Sequence, residues 1–105
     1  MVITETSVFT RQISELLTDD EYRKLQTALI TRPNAGTIIR RSGGLRKMRW
    51  AVRGREKRGG VRVIYYWAAG QEQLLMLLVY PKNEQDDLSP GQLRILRKIV
   101  REEYP

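Results

Sequence analysis

The sequence predicts an α+β fold, with helices packed on a small, mainly antiparallel sheet, and three observations carry that reading. Two helix starts, at Thr18 and Ser89, carry complete capping chemistry. Apolar residues alternate with polar ones through Leu45–Val52 and Val61–Ala68, the period of a strand with one covered face. The run Leu74–Tyr80 is apolar on both parities, as in a central strand covered on both sides. The implied order is β-α-α-β-β-β-β-α, in one α+β domain over residues 1–105.

Each element follows from local chemistry. Val2, Ile3, Val8 and Phe9 predict a first strand over 2–9. Arg11–Leu17 reads as a short helix with Ile13, Leu16 and Leu17 on one side. At Thr18 an N-cap hydroxyl is followed three residues later by Glu21, a capping box, with Leu17 and Tyr22 at the staple positions. Asp19, Asp20 and Glu21 suit the positive end of the helix dipole. The helix runs to about Thr31, and Pro33 stops it. Thr37–Ile39 is a short β-branched strand, and Gly43-Gly44 turns the chain. In Leu45–Val52 the parity sets Met48, Trp50 and Val52 on one face and Lys47, Arg49 and Ala51 on the other. Arg53–Gly60 is a glycine-flanked loop whose remaining residues are all charged. In Val61–Ala68, Val61, Val63, Tyr65 and Trp67 share one face, and Arg62, Ile64 and Tyr66 the other. A turn at Gly70-Gln71 joins this strand to Leu74–Tyr80 as a hairpin. Ser89, Pro90 and Gln92 start the last helix, with Leu88 and Leu93 as its staple pair.

The charge is concentrated. The chain has 105 residues and a net charge of +7, yet residues 40–62 hold ten of its 19 Lys and Arg against the single anion Glu56. Such a cluster points to a polyanionic partner, nucleic acid or an acidic protein. With no Cys and no His, thiol catalysis, Cys- or His-based metal sites and the usual general base are excluded. No metal and no cofactor is expected. The start lacks a basic segment leading into a long apolar run, and Leu74–Tyr80 is too short to span a bilayer. The expectation is a cytoplasmic protein without membrane contact.

The cations alternate with core residues along strands and then cluster in the loop, as a structured binding face requires. A face bearing Lys47, Arg49, Arg62 and Tyr66 can hold phosphates by charge-assisted hydrogen bonds and stack a base. RNA brings its own nucleophile, the 2′-hydroxyl. Cutting it needs a base, charge stabilisation at the pentavalent phosphate and a proton for the leaving oxygen. Crowded like charges favour a neutral lysine, so Lys47 or Lys57 can serve as the base. Arg62 suits charge stabilisation, and Tyr66 or Tyr80 suits proton transfer or stacking. The glycine-basic runs Gly43–Lys47 and Gly54–Gly60 lack the spacing of a phosphate-binding loop. The acidic run Glu84–Asp87 reads as a solvated turn ahead of a helix cap.

Three runs carry a family resemblance: Gly43–Trp50 (GGLRKMRW), Gly54–Tyr66 (GREKRGGVRVIYY) and Leu77–Ser89 (LLVYPKNEQDDLS). Together with Phe9 and the D-D-E-Y helix start at Asp19–Tyr22, they resemble the RelE/HigB toxins of type II toxin–antitoxin systems over nearly the whole chain. The resemblance implies a RelE-like fold and a metal-independent, ribosome-dependent mRNA endonuclease. It also implies a partner, a HigA-like helix-turn-helix antitoxin. By position, Arg62 matches the strand arginine before the aromatic pair, and Lys82 the basic position after the last strand. Lys47 and Lys57 stand for the remaining lysines, and Tyr66 completes the catalytic set. Some RelE-type toxins carry a tyrosine soon after the last basic position; Asn83–Leu96 contains none. Arg46, Arg49, Arg53, Arg55, Arg58 and Tyr80 complete the expected RNA-binding surface. Two alternatives remain: a ParE-like gyrase inhibitor on the same scaffold, and a non-catalytic RNA-binding module.

Overall fold

The computed structural model describes residues 1–52 and 60–105. The elements run β1 (Val2–Glu5), α1 (Ser7–Leu16), α2 (Asp19–Thr31), β2 (Thr37–Ile38), β3 (Leu45–Trp50), β4 (Val61–Ala68), a 3₁₀ turn (Ala69–Gln71), β5 (Gln73–Pro81) and α3 (Pro90–Glu103). The five strands form one sheet in the order β1-β5-β4-β3-β2, antiparallel except for the β1–β5 pair.

The main departure from expectation lies at the start. The first strand ends at Glu5 instead of Phe9, and the first helix begins at Ser7 instead of Arg11. Val8 and Phe9 are good strand formers, but Thr6 decides the matter. Its side chain accepts a hydrogen bond from Phe9 N–H (3.1 Å) and donates to Leu77 C=O (2.8 Å). The helix then buries Phe9 completely beside Ile13, a gain of about 2 kcal/mol for such a side chain. Past the end of β1, α1 also serves the free edge of β5: Gln12 Oε1 accepts from Val79 N–H at 3.2 Å. Two boundaries are shorter than expected, with β2 ending at Ile38 and β3 at Trp50.

Both capping boxes form, Thr18 with Glu21 and Ser89 with Gln92. Strand β4 spans Val61–Ala68, and its alternation divides the core into two. On one face Val61, Val63 and Tyr65 pack with Phe9, Ile13 and Leu17 and with Leu25 and Leu29 of α2. On the other face Leu45 and Ile64 pack with Leu75, Leu77, Leu96 and Val100 under α3. The sheet is therefore sandwiched, with α1 and α2 on one side and α3 on the other.

A bulge in β5 shapes the second face. Ile64 pairs with Leu78 but Tyr65 pairs with Met76, so Leu77 is the extra residue. Before the bulge Leu74 and Met76 face α1 and α2; after it Val79 does, and Tyr80 turns toward the α3 face. Gly60 fixes the start of β4. Its φ is +69°, and a Cβ there would lie 2.1 Å from Trp50 C=O, so only glycine fits.

Candidate phosphate-binding face

The register aligns a row of side chains across three strands. Arg49 of β3 pairs with Arg62 of β4, and Arg62 pairs with Tyr80 of β5. Neighbouring strands lie about 4.8 Å apart, so the row spans roughly 10 Å. Lys47 stands two residues along β3 on the same face, opposite Ile64. The helix α3 covers the far end of this face, where Leu45, Ile64 and Leu75 lie. At the near end the turn 82–87 takes the helix's place, and Lys82 N–H donates to Gly60 C=O at 3.2 Å.

Arg62 is the deepest of these cations. Its side chain is 12% exposed, and Nη2 donates to Asp86 Oδ1 at 3.1 Å, while Asp86 is 75% exposed. Lys47, 30% exposed, pairs with Asp87, 71% exposed. The lysine holds the Asp87 carboxyl below its ordinary value, first through the hydrogen bond and then through its charge. Arg49 is exposed, and neither it nor Lys82 makes an ion pair among the described residues. Two buried polar atoms at the centre of the row have no hydrogen-bond partner among the described residues, Arg62 Nε and Tyr80 Oη. Burial raises the Tyr80 phenol above its ordinary value, Asp87 adds to the rise, and Arg62 opposes it. The phenol therefore keeps its proton at neutral pH and is a hydrogen-bond donor in waiting.

Of the other residues expected at the binding surface, one lies on the opposite side of the sheet and one lies on the same face but away from the row. Arg46 has the parity of Met48 and Trp50, so it lies on the opposite side of the sheet from Lys47 and Arg49. There its Nη1 donates to Gly36 C=O (2.9 Å) and Asn34 C=O (3.3 Å), and its guanidinium sits 5.9 Å from the Trp67 ring centroid. Those contacts anchor the chain between α2 and β2. Tyr66 shares the face of Arg62 but stands four residues along β4, roughly 13 Å away at strand rise. It packs on Tyr104 with ring centroids 5.5 Å apart, and Tyr104 donates to Gln73 Oε1 at 2.8 Å. Arg53, Arg55, Lys57 and Arg58 lie outside the described residues.

The structure adds Asp86 and Asp87, which local sequence marks only as part of a solvated turn. They are exposed, but their carboxylates reach back across 24 and 40 residues of chain. No local pattern signals a contact over that separation. The misplacement of Arg46, by contrast, was detectable from parity.

Among the described residues no helix is long and apolar enough to cross a membrane. A family model described as "RelE toxin of RelE / RelB toxin-antitoxin system" matches residues 1–103. The match spans every strand and helix described above, including the row of cations and the turn that pairs with it. The chain belongs to the RelE toxin family, the toxin half of a toxin–antitoxin system.

Proposed function

We propose that this toxin is a ribosome-dependent mRNA endonuclease whose cutting surface is the β3–β4–β5 face bearing Lys47, Arg49, Arg62 and Tyr80. The observation that carries the reading is the cross-strand row itself. Among the described residues, a guanidinium sunk into the sheet has Nε unpaired and stands across the strand from a buried phenol that also lacks a partner. Both are hydrogen-bond donors, and a guanidinium binds phosphate best through paired N–H groups.

The chemistry follows from what each group can do. The 2′-hydroxyl gives its proton to one amine of the set and attacks the adjacent phosphorus. The 5′-oxygen leaves with a proton from a second, protonated amine, giving a 2′,3′-cyclic phosphate and a 5′-hydroxyl. The Arg62 guanidinium offsets the charge that builds on the non-bridging oxygens. Tyr80, held protonated by burial, donates a hydrogen bond to the same phosphate. Lys47 is within reach of the face as proton acceptor once its carboxylate partner leaves, and Lys57 and Lys82 are the other amines in the set. Arg49 and the loop arginines Arg53, Arg55 and Arg58 hold the flanking chain. The ribosome supplies the message in extended form, and an antitoxin of the helix-turn-helix, HigA-like kind silences the toxin.

The test is a cell-free translation reaction followed by mapping of mRNA 5′ ends. New ends that appear only in messages being translated support the reading. A protein that stops synthesis and leaves the message whole overturns the nuclease assignment, and inhibition of DNA supercoiling by purified gyrase would then favour the ParE-like alternative.

A further inference from the structure

The two carboxylates on the basic face suggest how access to it is controlled. We propose that Asp86 and Asp87 are an internal competitor for phosphate: they occupy the cations of the face in the free toxin and are displaced when the polyanion binds. The inference rests on the proposed phosphate-binding role of Lys47 and Arg62.

Four observations carry it. The two acids are consecutive, and they engage cations on two adjacent strands, Asp87 on Lys47 and Asp86 on Arg62. The exposures are asymmetric: the cations are largely covered and the carboxylates mostly face solvent, as expected of groups laid on the site from outside. Ion pairs with one such exposed partner contribute little to stability, so fold maintenance is a weak reason for the arrangement. Asp86 also accepts from Nη2 of Arg62, and Nε has no partner among the described residues. A phosphate can accept from two guanidinium N–H groups at once, so it outcompetes a single carboxylate contact.

The turn is built to release. Its backbone is held by contacts that do not involve the two carboxylates. Gln85 Nε2 donates to Asp87 C=O at 2.9 Å, and Gln85 also bonds the Gln92 side chain that completes the α3 cap. Glu84 N–H donates to Pro81 C=O at 3.2 Å. The side chains of Asp86 and Asp87 can therefore rotate away from the cations while the turn and the helix start stay in place.

The experiment compares the full-length toxin with an Asp86→Asn/Asp87→Asn variant. The probe is a fluorescein-labelled single-stranded oligodeoxynucleotide, which lacks the 2′-hydroxyl and cannot be cut. The charge-matched control is Glu102→Gln/Glu103→Gln, at the C-terminal end of α3. The competitor model expects the aspartate variant to bind about tenfold tighter at fixed salt, with a much smaller gain for the control. Adding Arg62→Ala to the aspartate variant should remove the gain. Unchanged or weaker binding, or an equal gain in the control, overturns the proposal; weaker binding would mean that the carboxylates position the cations instead. An unchanged melting temperature shows that the variants are folded. Message cutting is read separately, by end mapping in cell-free translation. Cutting without an affinity gain sinks only the competitor, and an affinity gain without cutting by the wild type sinks only the nuclease.

Discussion

Each face of the sheet sets an arginine beside a buried tyrosine, and the two pairs are used in opposite ways. On the α1/α2 face, Arg46 donates to the carbonyls of Asn34 and Gly36. Tyr65 beside it accepts from Gly36 N–H at 2.8 Å and donates to Pro33 C=O at 2.6 Å. A Cβ on Gly36 would lie 2.8 Å from the Tyr65 ring, so the segment after α2 is clamped onto the sheet. On the α3 face, Arg62 and Tyr80 are also largely buried, but among the described residues Nε and Oη have no partner. A buried donor left unpaired costs stability. The difference teaches that the same two residue types hold the fold where their bonds close internally, and on the other face leave donors that the proposed function assigns to a phosphate.

Paired substitutions test that contrast, and the arginines give the largest effect. Arg62→Ala should lower message cutting by about 10²–10³-fold, the usual loss when a group that stabilises transition-state charge is removed, with little change in melting temperature. Arg46→Ala should do the reverse. It should cost about 1–2 kcal/mol in denaturant unfolding and leave the cutting rate of folded protein near wild type. Loss of cutting in the Arg46 variant at full stability would show that the two faces are not divided in this way.

The tyrosines should follow at smaller scale. Tyr80→Phe removes a hydroxyl with no partner among the described residues, so the melting temperature should hold or rise while cutting falls about tenfold. Tyr65→Phe strands Gly36 N–H and Pro33 C=O and should cost about 2 kcal/mol with cutting intact.

The smallest effect is a titration. Lys47 lowers the Asp87 carboxyl, so its ion pair is fully present above the ordinary carboxyl value of 3.8 and is lost as pH falls through the lowered folded value. NMR titration of the Asp87 side chain should show a midpoint below 3.8, returning to the ordinary range in Lys47→Ala. An ordinary midpoint in the wild type would dissolve the pair in solution, and with it half of the contact between turn and face.

Much of this architecture was legible residue by residue. Both capping boxes, the β4 alternation, the doubly covered β5 and the placement of Lys47, Arg49 and Arg62 on one face follow from short-range chemistry and a period of two. The start of α1 was not, because Val8 and Phe9 favour a strand locally. Only the closing of Thr6 onto β5 and the burial of Phe9 against the core turn them into a helix. Nor was the choice between Tyr66 and Tyr80 legible. An extra residue at Leu77 flips the parity of β5 and brings Tyr80 beside Arg62, whereas Tyr66 is taken up by Tyr104.

What the sequence determined by itself was the element order, the side of each strand that is core and the concentration of positive charge in the middle of the chain. These are local properties, set by propensity, capping and alternation over a few residues. What only the tertiary structure decided was which charges meet. Arg62 finds Asp86 and Lys47 finds Asp87 across long stretches of chain, and Arg46 turns away to bond Asn34 and Gly36. The reason is physical: the identity of a charged side chain is written in the sequence, but its partner depends on strand register, a single bulge and the path of a turn. All three are fixed only once the two cores have closed.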